Sequence, residues 1–182
     1  MNSEKIKFNG VNDGETFSVA GFELIKFPAD EQGTPVVFRD IAFISRFGRN
    51  NNLKESDVLE RMQEEILPKI IEAVGEENVM TFKTDLTALD GLNPYGEGEM
   101  ESKISLCTLD FYRKHVSIFD QHPVDRWWWL ATPFSARPHD EDEWFLCVSP
   151  SGYGDGNYCF YGNFGVRPFC VFNSSIFGSC EE

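Results

Sequence analysis

Arg126-Trp127-Trp128-Trp129-Leu130-Ala131-Thr132-Pro133 is the stretch whose reading decides the fold. Aromatic side chains bury the largest areas a chain can offer, so three adjacent tryptophans cannot all remain in water. In an extended strand neighbours point to opposite faces, which puts Trp127 and Trp129 on one side and Trp128 on the other. A strand packed on both faces is central in its sheet, not an edge. Downstream lies a run of short apolar pieces cut by Gly, Ser, Asp and Asn. It contains the fourth tryptophan, Trp144, and ends in Gly165-Val166-Arg167-Pro168-Phe169-Cys170-Val171-Phe172. Residues 126–172 therefore read as the core.

Upstream, Thr16-Phe17-Ser18-Val19 and Phe22-Glu23-Leu24-Ile25-Lys26-Phe27 flank Ala20-Gly21 and predict a hairpin. Pro35 through Ile44 reads as one further β-like run, and Arg46 to Asn52 as a polar loop. Ser56 is a predicted helix N-cap with Asp57 in the first turn. Val58, Leu59, Met62, Ile66, Ile70 and Val74 follow helical spacing, Pro68 should kink or divide the helix, and Gly75 ends it. Glu76 to Ser105 reads mostly as loop. Thr108 predicts a second, short helix over Leu109 to His115, with Leu109, Tyr112 and Val116 on one face. After Pro123 every signal is strand or turn. The expected class is α+β, in one domain over 1–182: N-terminal strands and two helices over 1–123, then an antiparallel β-rich half over 124–182.

Composition bounds the function. The 182 residues are 41% hydrophobic, enough for one sizeable core and too few for two comfortable domains. A net charge of −14 disfavours nucleic acid, whose phosphates need clustered Lys and Arg. No apolar run approaches membrane-spanning length, and Met1-Asn2-Ser3-Glu4-Lys5 opens no hydrophobic signal region. The expectation is a protein made in the cytoplasm without a signal peptide, with no membrane insertion. Cys107, Cys147, Cys159, Cys170 and Cys180 show no Cys-x-x-Cys pair, and read as free, mostly buried thiols. No catalytic spacing involves His115 or His122, so no enzyme, cofactor or metal is expected. The acidic run His139-Asp140-Glu141-Asp142-Glu143 offers oxygen ligands for Ca²⁺ but reads first as a solvated loop. Arg167, among apolar neighbours, is expected in a buried structural ion pair.

Two segments carry a resemblance. Trp128-Trp129-Leu130-Ala131-Thr132-Pro133 and Gly165-Val166-Arg167-Pro168 resemble the Trp-Trp-Leu-x-(Ser/Thr)-Pro and Gly-Val-(Arg/Ala)-Pro motifs of a family of bacterial and phage proteins. Asp85-Leu86-Thr87-Ala88-Leu89-Asp90-Gly91 and Leu106-Cys107-Thr108-Leu109-Asp110-Phe111-Tyr112-Arg113 are similar to further segments of it. The resemblance runs from about Phe47 onward. It implies a C-type-lectin-like fold of the formylglycine-generating-enzyme type, which some variable proteins of diversity-generating retroelements adopt. Trp129-Leu130 would then stand where lectin-like folds keep Trp-Ile-Gly-Leu. Gly165-Val166-Arg167 would stand at the Gly-Phe-Arg of formylglycine-type folds. The calcium-dependent sugar-binding Glu-Pro-Asn signature is absent.

From Phe145 to Cys180 the chain has no Lys, Glu, Gln, Trp or Met, which make up roughly a quarter of the residues before it. These are the residues that adenine-directed mutagenesis of Asn codons ending in a pyrimidine cannot produce. A β-rich tail also loses most of them through propensity alone. What remains has the composition of an antibody paratope. The expected ligand-binding residues are Ser149, Ser151, Tyr153, Asp155, Asn157, Tyr158, Tyr161 and Asn163, most of them on one exposed patch, with Trp144 or Phe160 as aromatic anchor. The leading expectation is a non-enzymatic binding protein for a protein or cell-surface ligand, encoded by a phage or prophage and associated with the virion, with a homo-oligomer left open. The alternatives are a structural or assembly protein of a phage, and a formylglycine-generating-type oxidase with a Cys-bound metal.

Overall fold

The computed structural model describes residues 7–93, 95, 98–136, 139 and 143–178. Its central sheet contains β4 (Phe43–Ser45), β10 (Phe164–Val166), β7 (Trp128–Pro133), β8 (Trp144–Val148) and β9 (Gly154–Tyr158), in the order β4-β10-β7-β8-β9. The strand that carries the tryptophans is thus the middle one. β10 runs parallel to β7, and the other neighbours are antiparallel.

Two cores lie on the two faces of β7. Trp129 and Ala131 enter one, against Phe47, Phe145 and Phe164; Trp128 and Leu130 enter the other, against Tyr112 and Phe119. Trp129 is fully buried and Trp128 is 2% exposed, while Trp127 packs half-buried against the Trp129 side. The period of two predicts this division. The Trp129 indole N–H donates to the Ser45 carbonyl at 3.1 Å, so its one polar atom is satisfied inside the core. Pairing of β7 with β8 breaks between Trp129 and Pro133. A proline cannot donate to a ladder, and there the Ala131 N–H bonds the Cys107 carbonyl at 2.8 Å instead.

A second, antiparallel sheet contains β1 (Thr16–Val19), β2 (Phe22–Lys26), β3 (Thr34–Phe38) and β11 (Phe169–Phe172), in the order β1-β2-β3-β11. The Ala20-Gly21 hairpin forms as expected, with φ of 52° and 81° at its two turn residues. The run from Pro35 to Ile44 is not one strand. It breaks after Phe38, and its second part, β4, joins the central sheet. A third sheet, β5 (Phe82–Asp85) with β6 (Glu99–Ser102), lies inside the stretch expected to be loop.

The long helix runs through α1 (Asp57–Arg61), a π-helical turn over Met62–Ile66, and α2 (Leu67–Val74). The Ser56 hydroxyl caps it by accepting from the Leu59 N–H at 3.0 Å. Pro68 does not end it; the preceding turn widens. The Leu67 N–H reaches back five residues to the Met62 carbonyl, which makes room for the proline ring. Val58, Leu59, Met62, Ile66, Ile70 and Val74 are all buried. The second helix divides at His115 into α3 (Leu109–Lys114), capped by Thr108, and α4 (Val116–Phe119). The division turns Val116 outward, 41% exposed, and brings Phe119 inward beside Tyr112. The architecture is α+β, and among the described residues no helix is long and apolar enough to cross a membrane.

Candidate functional site

The β8–β9 hairpin forms the edge of the central sheet, and its register decides which side chains share a face. Trp144 pairs with Tyr158, Leu146 with Gly156 and Val148 with Gly154; Phe145 pairs with Asn157 and Cys147 with Asp155. Cross-strand partners lie on the same face. The predicted binding residues are therefore split between the two faces of an edge hairpin, and do not make one patch.

Four of them do come together. The Trp144 and Tyr158 rings lie 4.5 Å apart, and Tyr158 in turn contacts Phe160 at 5.1 Å and Tyr161 at 5.8 Å. Phe160 and Tyr161 are 47% and 46% exposed. Sequence reasoning missed a fifth member, Phe134, whose ring lies 6.0 Å from Trp144. A Cβ on Gly156 would come within 2.5 Å of the Phe134 ring. A glycine inside a strand marks such a close approach, and that was the available signal.

The other six do different work. Tyr153, 57% exposed, meets the edge of Trp127 on the opposite face at 5.3 Å. Asp155 and Asn157 turn their side-chain oxygens onto the next N–H of their own strand, at Gly156 and Tyr158, each at 2.8 Å. The Cys159 N–H bonds the Glu143 carbonyl toward β8, so strand alternation directs the Gly156 and Tyr158 N–H groups to the open edge. Asp155 and Asn157 cover that edge, which is a common protection of an unpaired strand. Ser149 is buried, contrary to expectation. Its hydroxyl accepts from the Tyr153 N–H at 3.2 Å and lies 3.1 Å from the Ser151 hydroxyl, so it holds the β8–β9 turn. Ser151 and Asn163 are exposed, and the Asn163 carbonyl accepts from Arg126 Nη1 at 3.2 Å.

Arg167 has no carboxylate partner among the described residues, so the expected buried ion pair is not what holds it. Its Nε donates to the Phe38 carbonyl and its Nη2 to the Arg39 carbonyl, both at 3.0 Å, and the guanidinium carbon lies 4.8 Å from the Trp128 ring centre. Burial lowers the pKa of Arg167 to about 10, which still leaves it charged at neutral pH.

Cys107, Cys147 and Cys170 are free and buried, Cys159 is buried, and Cys180 lies outside the described residues. Burial pushes the thiols of Cys107, Cys147 and Cys170 up to about 12, away from the thiolate that nucleophiles and metal ligands need. No three His, Cys, Asp or Glu residues gather into a metal-holding group among the described residues. Most of the acidic run from His139 to Glu143 also lies outside them; His139 Nδ1 is 3.2 Å from the Asp90 carboxylate. That carboxylate also accepts from the Ala136 and Leu92 N–H groups, tying the Asp85–Gly91 loop to the end of β7. Comparison of the chain with protein-family models, curated proteins and solved structures gives no match.

Proposed function

We propose that this chain is a non-enzymatic binding protein with a C-type-lectin-like fold of the formylglycine-generating-enzyme type. It presents an aromatic surface to a protein or cell-surface ligand, as the variable proteins of phage- or prophage-encoded diversity-generating retroelements do. The observation that carries the reading is the cluster of Trp144, Tyr158, Phe160 and Tyr161. Two of its rings are about half exposed while their neighbours fix their positions. Large aromatic side chains held rigidly at a surface lose little entropy on binding and are the commonest anchors of recognition sites. The two segments behind the resemblance also meet in space: the Gly165 N–H donates to the Trp127 carbonyl at 2.7 Å, and Gly165 pairs with Trp128. This supports the lectin-like reading, since both would then belong to one structural unit. Burial raises the thiols of Cys107, Cys147 and Cys170 to about 12, which does not favour these three as the poised sulfur of the oxidase alternative.

The test is binding of the fluorescently labelled protein to a panel of intact bacterial and animal cells. At least one cell type should bind the wild type, and the double variant Phe160→Ala/Tyr161→Ala should lose that binding while keeping its unfolding midpoint. Exposed positions typically change stability by no more than about 0.5 kcal/mol. Equal binding by wild type and variant would exclude this surface as the site. For the retroelement reading, the encoding DNA should lie near a reverse transcriptase gene and a near-repeat of the C-terminal segment differing at adenines.

A further inference from the structure

At the other end of the same hairpin lies a cavity of about 250 Å³, between the end of α4, the start of β7 and the β8–β9 turn. Tyr112, Asp120, Trp128, Ser149, Ser151 and Arg167 are among its lining residues. Arg167 is 2% exposed. Two of its three guanidinium nitrogens are used by the Phe38 and Arg39 carbonyls, and Nη1 makes no hydrogen bond among the described residues. Arg167 lines the cavity, and Nη1 is the guanidinium nitrogen that these carbonyls leave unused. A buried cation is ordinarily matched by an anion. Here carbonyl oxygens and the Trp128 and Phe119 rings stand in for one.

The donors at the turn are complementary. The Ser149 and Ser151 hydroxyls share one hydrogen bond at 3.1 Å, which leaves one of their two protons to donate elsewhere. The Tyr112 hydroxyl donates to the Gly152 carbonyl at 2.6 Å, fixing that wall. The Asp120 carboxylate borders the same turn, with Oδ1 3.4 Å from the Cβ position of Gly152. The lining holds the Arg167 charge together with the Asp120 carboxylate, so a second negative charge on a ligand would go unmatched.

We propose that this cavity is a binding site for a small monocarboxylate, held by Nη1 of Arg167 and the free hydroxyl proton of the Ser149–Ser151 pair. Its volume equals the share of about eight liquid waters, which suits a small molecule and not a polymer. The site stands apart from the aromatic cluster and does not depend on it.

Calorimetric titration of the intact protein with sodium acetate, and separately with sodium phosphate, tests this at pH 7 and constant ionic strength against chloride. Acetate should bind at one site per chain, with phosphate weaker. Ser151→Glu sets a carboxylate beside the bound anion at an exposed position, so it should weaken acetate by about tenfold or more with an unchanged melting temperature. Arg167→Lys keeps the charge but moves the donor, and should also weaken acetate. Phe160→Ala/Tyr161→Ala should bind acetate as the wild type does, which separates this site from the proposed recognition surface. Failure of acetate to bind below about 10 mM, the level of a very weak site, would overturn the assignment. So would acetate affinity that survives Ser151→Glu, or phosphate binding as tightly as acetate.

Discussion

Trp129 shows how one side chain can set a fold. It is fully buried in the middle strand of the five, between Phe47 and Phe164, with its N–H bonded to Ser45. Trp129→Ala would lose that packing and leave a cavity that neighbours on two strands and a loop cannot all fill. It should cost about 3–5 kcal/mol in urea unfolding, and Trp127→Ala, half-buried, clearly less. Equal losses at the two positions would contradict the placement of β7. Period-two alternation puts Trp127 and Trp129 on one face but does not predict that difference, which arises because Trp127 precedes β7 and Trp129 lies within it. The same alternation says little about Ser149, Asp155 or Asn157. Their roles depend on a turn that buries the serine and on β9 being an edge strand, and neither property is written in the local pattern. Arg167 was legible as buried but not as unpaired, because its partners are main-chain carbonyls far away in sequence.

Among the elements, the helix over residues 57–74 was the most legible, because cap, stripe and stop agree. Ser56 is buried, and its hydroxyl both donates to the Leu53 carbonyl at 2.8 Å and accepts from the Leu59 N–H at 3.0 Å. Ser56→Ala should therefore destabilise by about 1–2 kcal/mol, at the upper end for a cap, and Ser56→Asp by less. The β5–β6 hairpin was not legible: Phe82-Lys83-Thr84-Asp85 and Glu99-Met100-Glu101-Ser102 carry one buried hydrophobe each, and Lys, Asp and Glu, which strands disfavour, fill most of the other positions. The α3–α4 break was hidden for another reason, since it depends on the backbone of His115, held at φ −116°, ψ 23°. That imidazole packs on Phe27 and Phe111, and burial, with Lys114 adding to it, holds its pKa below the ordinary value. With a folded pKa below the unfolded one, the unfolded state binds more protons in the window between them. Stability from this group is then complete above about pH 6.5 and lost as pH falls through the folded value. Wild-type urea midpoints should drop more from pH 7.5 to pH 5 than those of His115→Gln. Parallel profiles would show that His115 makes no such contribution.

At the scale of the molecule, the two ends of the chain are woven together. β11, residues 169–172, pairs with β3 near the N-terminus, and β10 inserts between β4 and β7, bonding an early strand on one side and a late one on the other. The Phe8, Phe17, Phe172 and Phe177 rings then close the N-terminal sheet over residues from the other end. A fragment of residues 1–123 keeps every α-helix described, yet it lacks the edge partner of β3, the only strand partner of β4 among the described residues, and the two tryptophans around which both cores form. Removing that much apolar packing exceeds the whole net stability of a typical domain, roughly 5–15 kcal/mol. The fragment should therefore show no cooperative urea transition and no dispersed amide spectrum, whereas the full chain shows one transition followed alike by fluorescence and circular dichroism. A cooperatively folded fragment would mean that the N-terminal strands and the long helix form a unit of their own. The C-terminal half would then be an addition to that unit and not the centre of the fold.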